Sequence, residues 1–133
     1  MNEDNGANVL QFLQELKQKY PGFEYRCARD GNKCLTAWMF MTAEMQFFAK
    51  TYGQVLFCDW MKNGVSDVHW PYQGTVVLDK NLSVHIAAHA LACTESNESY
   101  KFNLTSMTSI VPELHCITKV TFSDRLASEH IFF

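Results

Sequence analysis

Asp59 and Asp124 each close a short apolar run, Val55-Leu56-Phe57-Cys58-Asp59 and Ile117-Thr118-Lys119-Val120-Thr121-Phe122-Ser123-Asp124. Runs of this length bounded by turn residues read as buried strands. A carboxylate at the end of a buried strand is costly unless something holds its charge. If the two strands lie side by side, the two carboxylates can share a divalent cation. Hard oxygen ligands suit Mg²⁺ or Mn²⁺. Two such ions about 4 Å apart activate an attacking oxygen and stabilise a leaving one in phosphodiester chemistry. The competing explanation of each aspartate is a turn or cap residue at a strand end.

Other reactive residue types lead to weaker chemistry. His85 and His89 have the spacing of a helical zinc pair, but on a strand four residues span about 13 Å, too far to share one ion. His69, His115 and His130 have no partner at metal spacing. Cys58 lies within an apolar run beside Asp59, and both surroundings raise a thiol pKa, which argues against a nucleophile. Glu95 and Glu98 suit the positive end of a helix. Lys17, Lys19, Arg26, Arg29 and Lys33 form the one basic cluster that could meet a phosphate backbone, though such a cluster is more often simply a solvated face.

The elements that must position the aspartates follow from periodicity. Residues 1–7 read as a loose tail. A helix capped by Asn8 carries Val9, Phe12, Leu13, Leu16 and Tyr20 on one face and stops at Pro21-Gly22. Asp30-Gly31 between two strand-like runs predicts a two-residue hairpin turn that sets Cys27 opposite Cys34 and Tyr25 opposite Thr36. Thr42 caps a second helix, with Met45, Phe48, Ala49 and Tyr52 on one face and Gly53 at its end. After the strand ending in Asp59 come a turn at Lys62-Asn63-Gly64 and a second hairpin, residues 72–78 and 82–93, around Asp79-Lys80-Asn81. Residues 95–111 read as a helix with the stripe Tyr100, Leu104, Met107 and Val111, capped by Ser96 and ended by Pro112. A strand over residues 116–123 then leads to Asp124, and a helix begins at Arg125. Three antiparallel strands, a crossover helix and a further strand make an α/β mixed sheet.

Composition sets the bounds. The chain has 133 residues, 47% of them apolar, enough for a core and against bulk disorder. A net charge of −3 makes the whole chain no magnet for phosphate, so any nucleic-acid role needs a local patch or a metal. The polar, acidic start is unlike a secretory leader, and no apolar run is long enough to span a bilayer, so the expectation is an intracellular protein without membrane contact. In that compartment the five cysteines, with no Cys-x-x-Cys among them, read as reduced thiols.

This order of motifs resembles the catalytic region of Mutator-like element (MULE) transposases, over residues 16–133. The residues that carry it are Gln54-Val55-Leu56-Phe57-Cys58-Asp59, the hairpin Val76-Val77-Leu78-Asp79-Lys80-Asn81, the strand and helix start Ala90-Leu91-Ala92-Cys93-Thr94-Glu95-Ser96-Asn97-Glu98-Ser99-Tyr100, and Val120-Thr121-Phe122-Ser123-Asp124. Leu16-Lys17-Gln18-Lys19-Tyr20-Pro21-Gly22-Phe23 and its hairpin are similar to the segment that precedes the family's core.

The resemblance implies an RNase H-like fold with an N-terminal helix–hairpin–helix segment over residues 1–53 and a partial core over 54–133, truncated before the last strand and helix. It implies Asp59 and Asp124 as catalytic metal ligands, Mg²⁺ or Mn²⁺ as cofactor, transposon-end and target DNA as partners, and a nuclear location. The family hydrolyses DNA strand ends and then uses the freed 3′-hydroxyl to attack target DNA. Two departures bear on this chain. Trp60 stands where the family has a small residue, close enough to crowd a metal. The chain stops nine residues after Asp124, before the family's third acidic residue, and Glu129 is too near to replace it. The chain alone is therefore expected to be an impaired polynucleotidyl transferase, or a non-enzymatic remnant that binds a protein or nucleic-acid partner. A compact nuclease with Asp67 or Asp79 as third ligand is a weaker alternative. An uncovered edge at residues 117–122 and the apolar Ile131, Phe132 and Phe133 lead to an expectation of self-association.

Overall fold

The structure is a computed structural model that describes residues 3–61 and 70–123. Asp124, Arg125, Glu129, His130, the three apolar residues that end the chain, the turn at Lys62-Asn63-Gly64, Asp67 and His69 lie outside the described residues. The elements in order are α1 (Glu3–Lys19), β1 (Glu24–Arg29), β2 (Leu35–Met41), α2 (Ala43–Tyr52), β3 (Val55–Met61), β4 (Tyr72–Leu78), β5 (Val84–Ala92), α3 (Asn97–Ile110), α4 (Leu114–Ile117) and β6 (Val120–Ser123).

The six strands form one mixed sheet in the order β1-β2-β5-β4-β3-β6, antiparallel throughout except for the parallel pair β3 and β6. The architecture is α/β. The first hairpin is continuous with the later strands, because β2 pairs directly with β5.

Strand alternation sorts the side chains onto two unlike faces. Met39, Met41, Leu56, Cys58, Val77, Ala88 and Ala90 point to one side, where Ala49 of α2, Tyr100, Leu104 and Met107 of α3 and Leu114 of α4 close a single core over them. The expected stripe of α3 is fully buried, and its N-cap is Ser96, whose Oγ accepts the Ser99 N–H. Thr42 caps α2 by accepting the Met45 N–H. On the opposite face, Met61, Ile86 and Phe122 remain 52%, 44% and 49% exposed, and among the described residues no helix covers β3, β4 and β6 there. Among the described residues no helix is long and apolar enough to cross a membrane.

Several expectations need correction. The first helix begins at Glu3 rather than at an Asn8 cap, and its buried anchor is Leu13, while Phe12 and Tyr20 stay exposed. The first hairpin does not turn at a two-residue Asp-Gly loop. Asp30 Oδ1 accepts the N–H groups of Asn32 and Cys34, its own N–H donates to the Cys34 carbonyl, and Lys33 takes φ 64°. The loop is thus longer, and Cys27 lies opposite Trp38 instead of Cys34. Asp79, Asn81, Leu82 (φ 65°) and Ser83 repeat the same design in the second hairpin. In both loops a carboxylate bonded to two backbone N–H groups organises the turn, and this local gain outweighs the usual Asp-Gly preference.

The strand expected over residues 116–123 starts only at Val120, because Leu114–Ile117 form a helical turn that drives Leu114 fully into the core. Gly53 ends α2 with φ −77°, so it is not there for a left-handed conformation. A Cβ at Gly53 would lie 2.2 Å from the Ala49 carbonyl oxygen and 2.7 Å from Leu114, so the chain needs the missing atom itself.

Candidate functional site

Asp59 is the fifth residue of the seven in β3, not its last. Its side chain is exposed on the open face, which removes the burial cost that its apolar neighbours suggested. Among the described residues no hydrogen bond or ion pair engages its carboxylate. Trp60, next along the strand, turns to the helix-covered face and is only 8% exposed; it does not crowd the side on which Asp59 stands.

The parallel pairing of β3 with β6 brings the second apolar run alongside the first. Val55 pairs with Val120, Leu56 with Thr121, Phe57 with Phe122 and Cys58 with Ser123. The last described pair therefore joins the residues that immediately precede Asp59 and Asp124 in sequence. Phe57 and Phe122 stack on the open face with ring centroids 5.4 Å apart, fixing the two strands beside the site. Next to them is a recess of about 530 Å³ walled by Phe57, Asp59, Met61, Tyr72, Gly74, Val76, Ile86 and Phe122.

A metal site needs more than one hard ligand. Among the described residues there is no group of three or more His, Cys, Asp and Glu side chains able to hold an ion. Asp59 supplies one carboxylate of the right chemistry for Mg²⁺ or Mn²⁺. Asp79 cannot supply another. It follows Leu78 on β4, whereas Gly74 is the residue opposite Asp59, so five strand residues, roughly 17 Å, separate the two carboxylates. Its Oδ2 also accepts from His85 Nε2 at 2.8 Å, and its Oδ1 is committed to the turn.

The two histidines are separated more fully than strand spacing alone required. Ala87 bulges between them, so that His85 faces Val77 and His89 faces Gly74, on opposite sides of the sheet. His85 stacks on Phe48 of α2 with centroids 4.0 Å apart. His89 lies on the open face, where its Nδ1 shares a hydrogen bond of 2.5 Å with the Tyr72 hydroxyl. Burial holds the His89 imidazole below its usual pKa and pushes the Tyr72 phenol up. Both are therefore neutral near pH 7.

The basic cluster is far from Asp59. Lys17 and Arg26 both approach Glu24, at 3.1 and 3.5 Å, and Arg29 donates to the Lys33 carbonyl. β1, which carries Arg26 and Arg29, stands four places from β3 in the sheet, roughly 19 Å away. Cys27 is held as a thiol, its pKa raised by burial.

Tyr72 and Gly74 escaped the sequence reading as functional candidates, and His89 entered it only as a rejected zinc partner of His85. The available signal was Gly74 itself: a glycine inside a strand marks a bulge or a close approach. Comparison with known proteins finds no matching family model, no matching curated protein and no matching solved structure.

Proposed function

We propose that this chain is a MULE-type transposase catalytic region with an RNase H-like core, in which Asp59 and Asp124 hold Mg²⁺ or Mn²⁺ for DNA strand cleavage and transfer. The observation that carries the reading is the parallel register of β3 and β6, which ends on Cys58 beside Ser123, one residue before each aspartate. The strand order β5-β4-β3-β6, with α3 between β5 and β6, supports it further: three antiparallel strands, a crossover helix, and a fourth strand parallel to the first.

Metal ions held by Asp59 and Asp124 would supply Lewis-acid activation of the attacking oxygen and charge neutralisation at the leaving one. Asp59 offers a carboxylate on a rigid strand, clamped by β4 on one side and β6 on the other, and Phe57 and Phe122 wall off one side of the recess. Rigid placement matters because metal–phosphate geometry provides most of the rate in such chemistry.

A second reading is a non-enzymatic RNase H-like module that binds DNA or a protein. The exposed apolar side chains Met61, Ile86 and Phe122 on the face that carries Asp59 favour it, since such a patch suits a bound partner. An assay of plasmid nicking in Mg²⁺ and in Mn²⁺ separates the two. Metal-dependent nicking, even at low turnover, that disappears in Asp59→Asn supports the transposase reading. Binding of DNA with no nicking in either metal supports the second.

A further inference from the structure

One row of the open face crosses four strands: Asp59 on β3 pairs with Gly74 on β4, Gly74 with His89 on β5, and His89 with Phe40 on β2. Adjacent strands are about 4.8 Å apart, so the Asp59 and His89 backbones are roughly 10 Å apart with a bare glycine between them. Tyr72 fills that gap. Its hydroxyl lies 3.0 Å from where a Gly74 Cβ would be, and His89 Nδ1 fixes it there by a hydrogen bond. His89 is in turn held flat against Phe40, ring centroids 5.1 Å apart. The Asp59 carboxylate and an anchored hydroxyl thus line one recess, on a face whose other wall residues there are mostly apolar.

We propose that Tyr72 is a positioning residue of the Asp59 site, its hydroxyl held over Gly74 by His89 so that it hydrogen-bonds a nucleic-acid strand lying across β3 and β4. The inference rests on the Asp59 reading above. A Cβ at position 74 would stand 3.0 Å from the hydroxyl and 3.3 Å from the ring, so the phenol would have to give by a few tenths of an ångström, enough to disturb its hydrogen bond to His89. A half-buried tyrosine that merely shielded the glycine would need its ring but not its hydroxyl.

The test is fluorescence anisotropy of a labelled single-stranded oligonucleotide in Ca²⁺, a hard cation in place of Mg²⁺. The proteins are the wild-type chain, Asp59→Asn, Tyr72→Phe, Gly74→Ala and the double variant Asp59→Asn/Tyr72→Phe. Tyr72→Phe keeps the ring and removes one hydrogen bond, so binding weakens about tenfold. Gly74→Ala keeps the hydroxyl but displaces it, and weakens binding similarly. The double variant loses less than the sum of its two parts, because the groups act on one ligand. If the wild-type chain does not bind, or Asp59→Asn binds equally well, the Asp59 reading fails and takes this inference with it. If Asp59→Asn weakens binding while Tyr72→Phe and Gly74→Ala do not, the site stands and the role of Tyr72 is overturned.

Discussion

Beneath Asp59, on the covered side of the sheet, a polar contact holds α3 to β4, and Asn103→Leu tests its worth. Asn103 Nδ2 donates to Gln73 Oε1 at 2.6 Å and to Thr75 Oγ1 at 3.0 Å, and all three residues are fully buried. Leucine removes both donors at similar volume and strands two acceptors in the core. Thr75 keeps a contact with the Cys58 thiol at 3.6 Å, so the larger loss falls on Gln73, whose Nε2 already has no partner among the described residues. A stranded buried group costs about 1–3 kcal/mol, and the added apolar burial returns about 1. The net loss is about 2 kcal/mol, or roughly 6–10 °C in the unfolding midpoint of a chain this size.

The informative comparison is with Gln73→Leu/Asn103→Leu. Removing both partners leaves little unpaired, so the double variant returns to within about 1 kcal/mol of wild type. Urea unfolding followed by tryptophan fluorescence measures both. A loss below about 0.5 kcal/mol for Asn103→Leu, or a double variant that costs the sum of its parts, would refute the reasoning.

Three further outcomes follow from the packing and charges. Gly53→Ala forces a methyl onto the Ala49 carbonyl and Leu114, and strains the Gly53 carbonyl that accepts from Thr118 Oγ1; it should cost about 2–3 kcal/mol in urea unfolding, and a neutral substitution would contradict the close packing of α2 on α4. The Asp79 carboxyl is held below its usual range, chiefly by the His85 hydrogen bond and then by the Ser83 and Asn81 N–H groups. A depressed carboxyl binds fewer protons folded than unfolded, so its stabilisation is complete above the ordinary aspartate value and is lost as pH falls through the lowered one. Asp79→Asn should flatten the fall of the urea midpoint between neutral and strongly acid pH, and an unchanged slope would argue against the pair. Val120 is 42% exposed on β6, the outermost strand on that side among the described residues, so the chain should self-associate in concentration-dependent light scattering and Val120→Lys should suppress it. A monodisperse wild-type monomer at high concentration would count against an open edge.

Much of the frame was legible because it depends on short-range pattern. The apolar run of β3, the stripe of α3 and the caps at Thr42 and Ser96 each follow from periodicity or from a side chain reaching a nearby N–H. Hairpin register was not legible, since the Asp30 carboxylate and the left-handed Lys33 lengthen a loop that Asp-Gly alone would have kept at two residues. Nor was the start of β6, where tertiary burial of Leu114 turns residues of strand-like composition into a helical turn. The site divides in the same way. Asp59 could be singled out from its own strand, whereas the row from Asp59 through Gly74 to His89 depends on the register of three strands and a bulge at Ala87, which no local pattern specifies.

Isothermal titration of the wild-type chain, Asp59→Asn and Asp124→Asn with Mn²⁺ probes most directly whether two carboxylates from separate strands hold one ion. Heat of binding that vanishes in each single variant is the expected result. Equal Mn²⁺ binding by all three proteins, or none by the wild type, would contradict a metal centre built on β3 and β6.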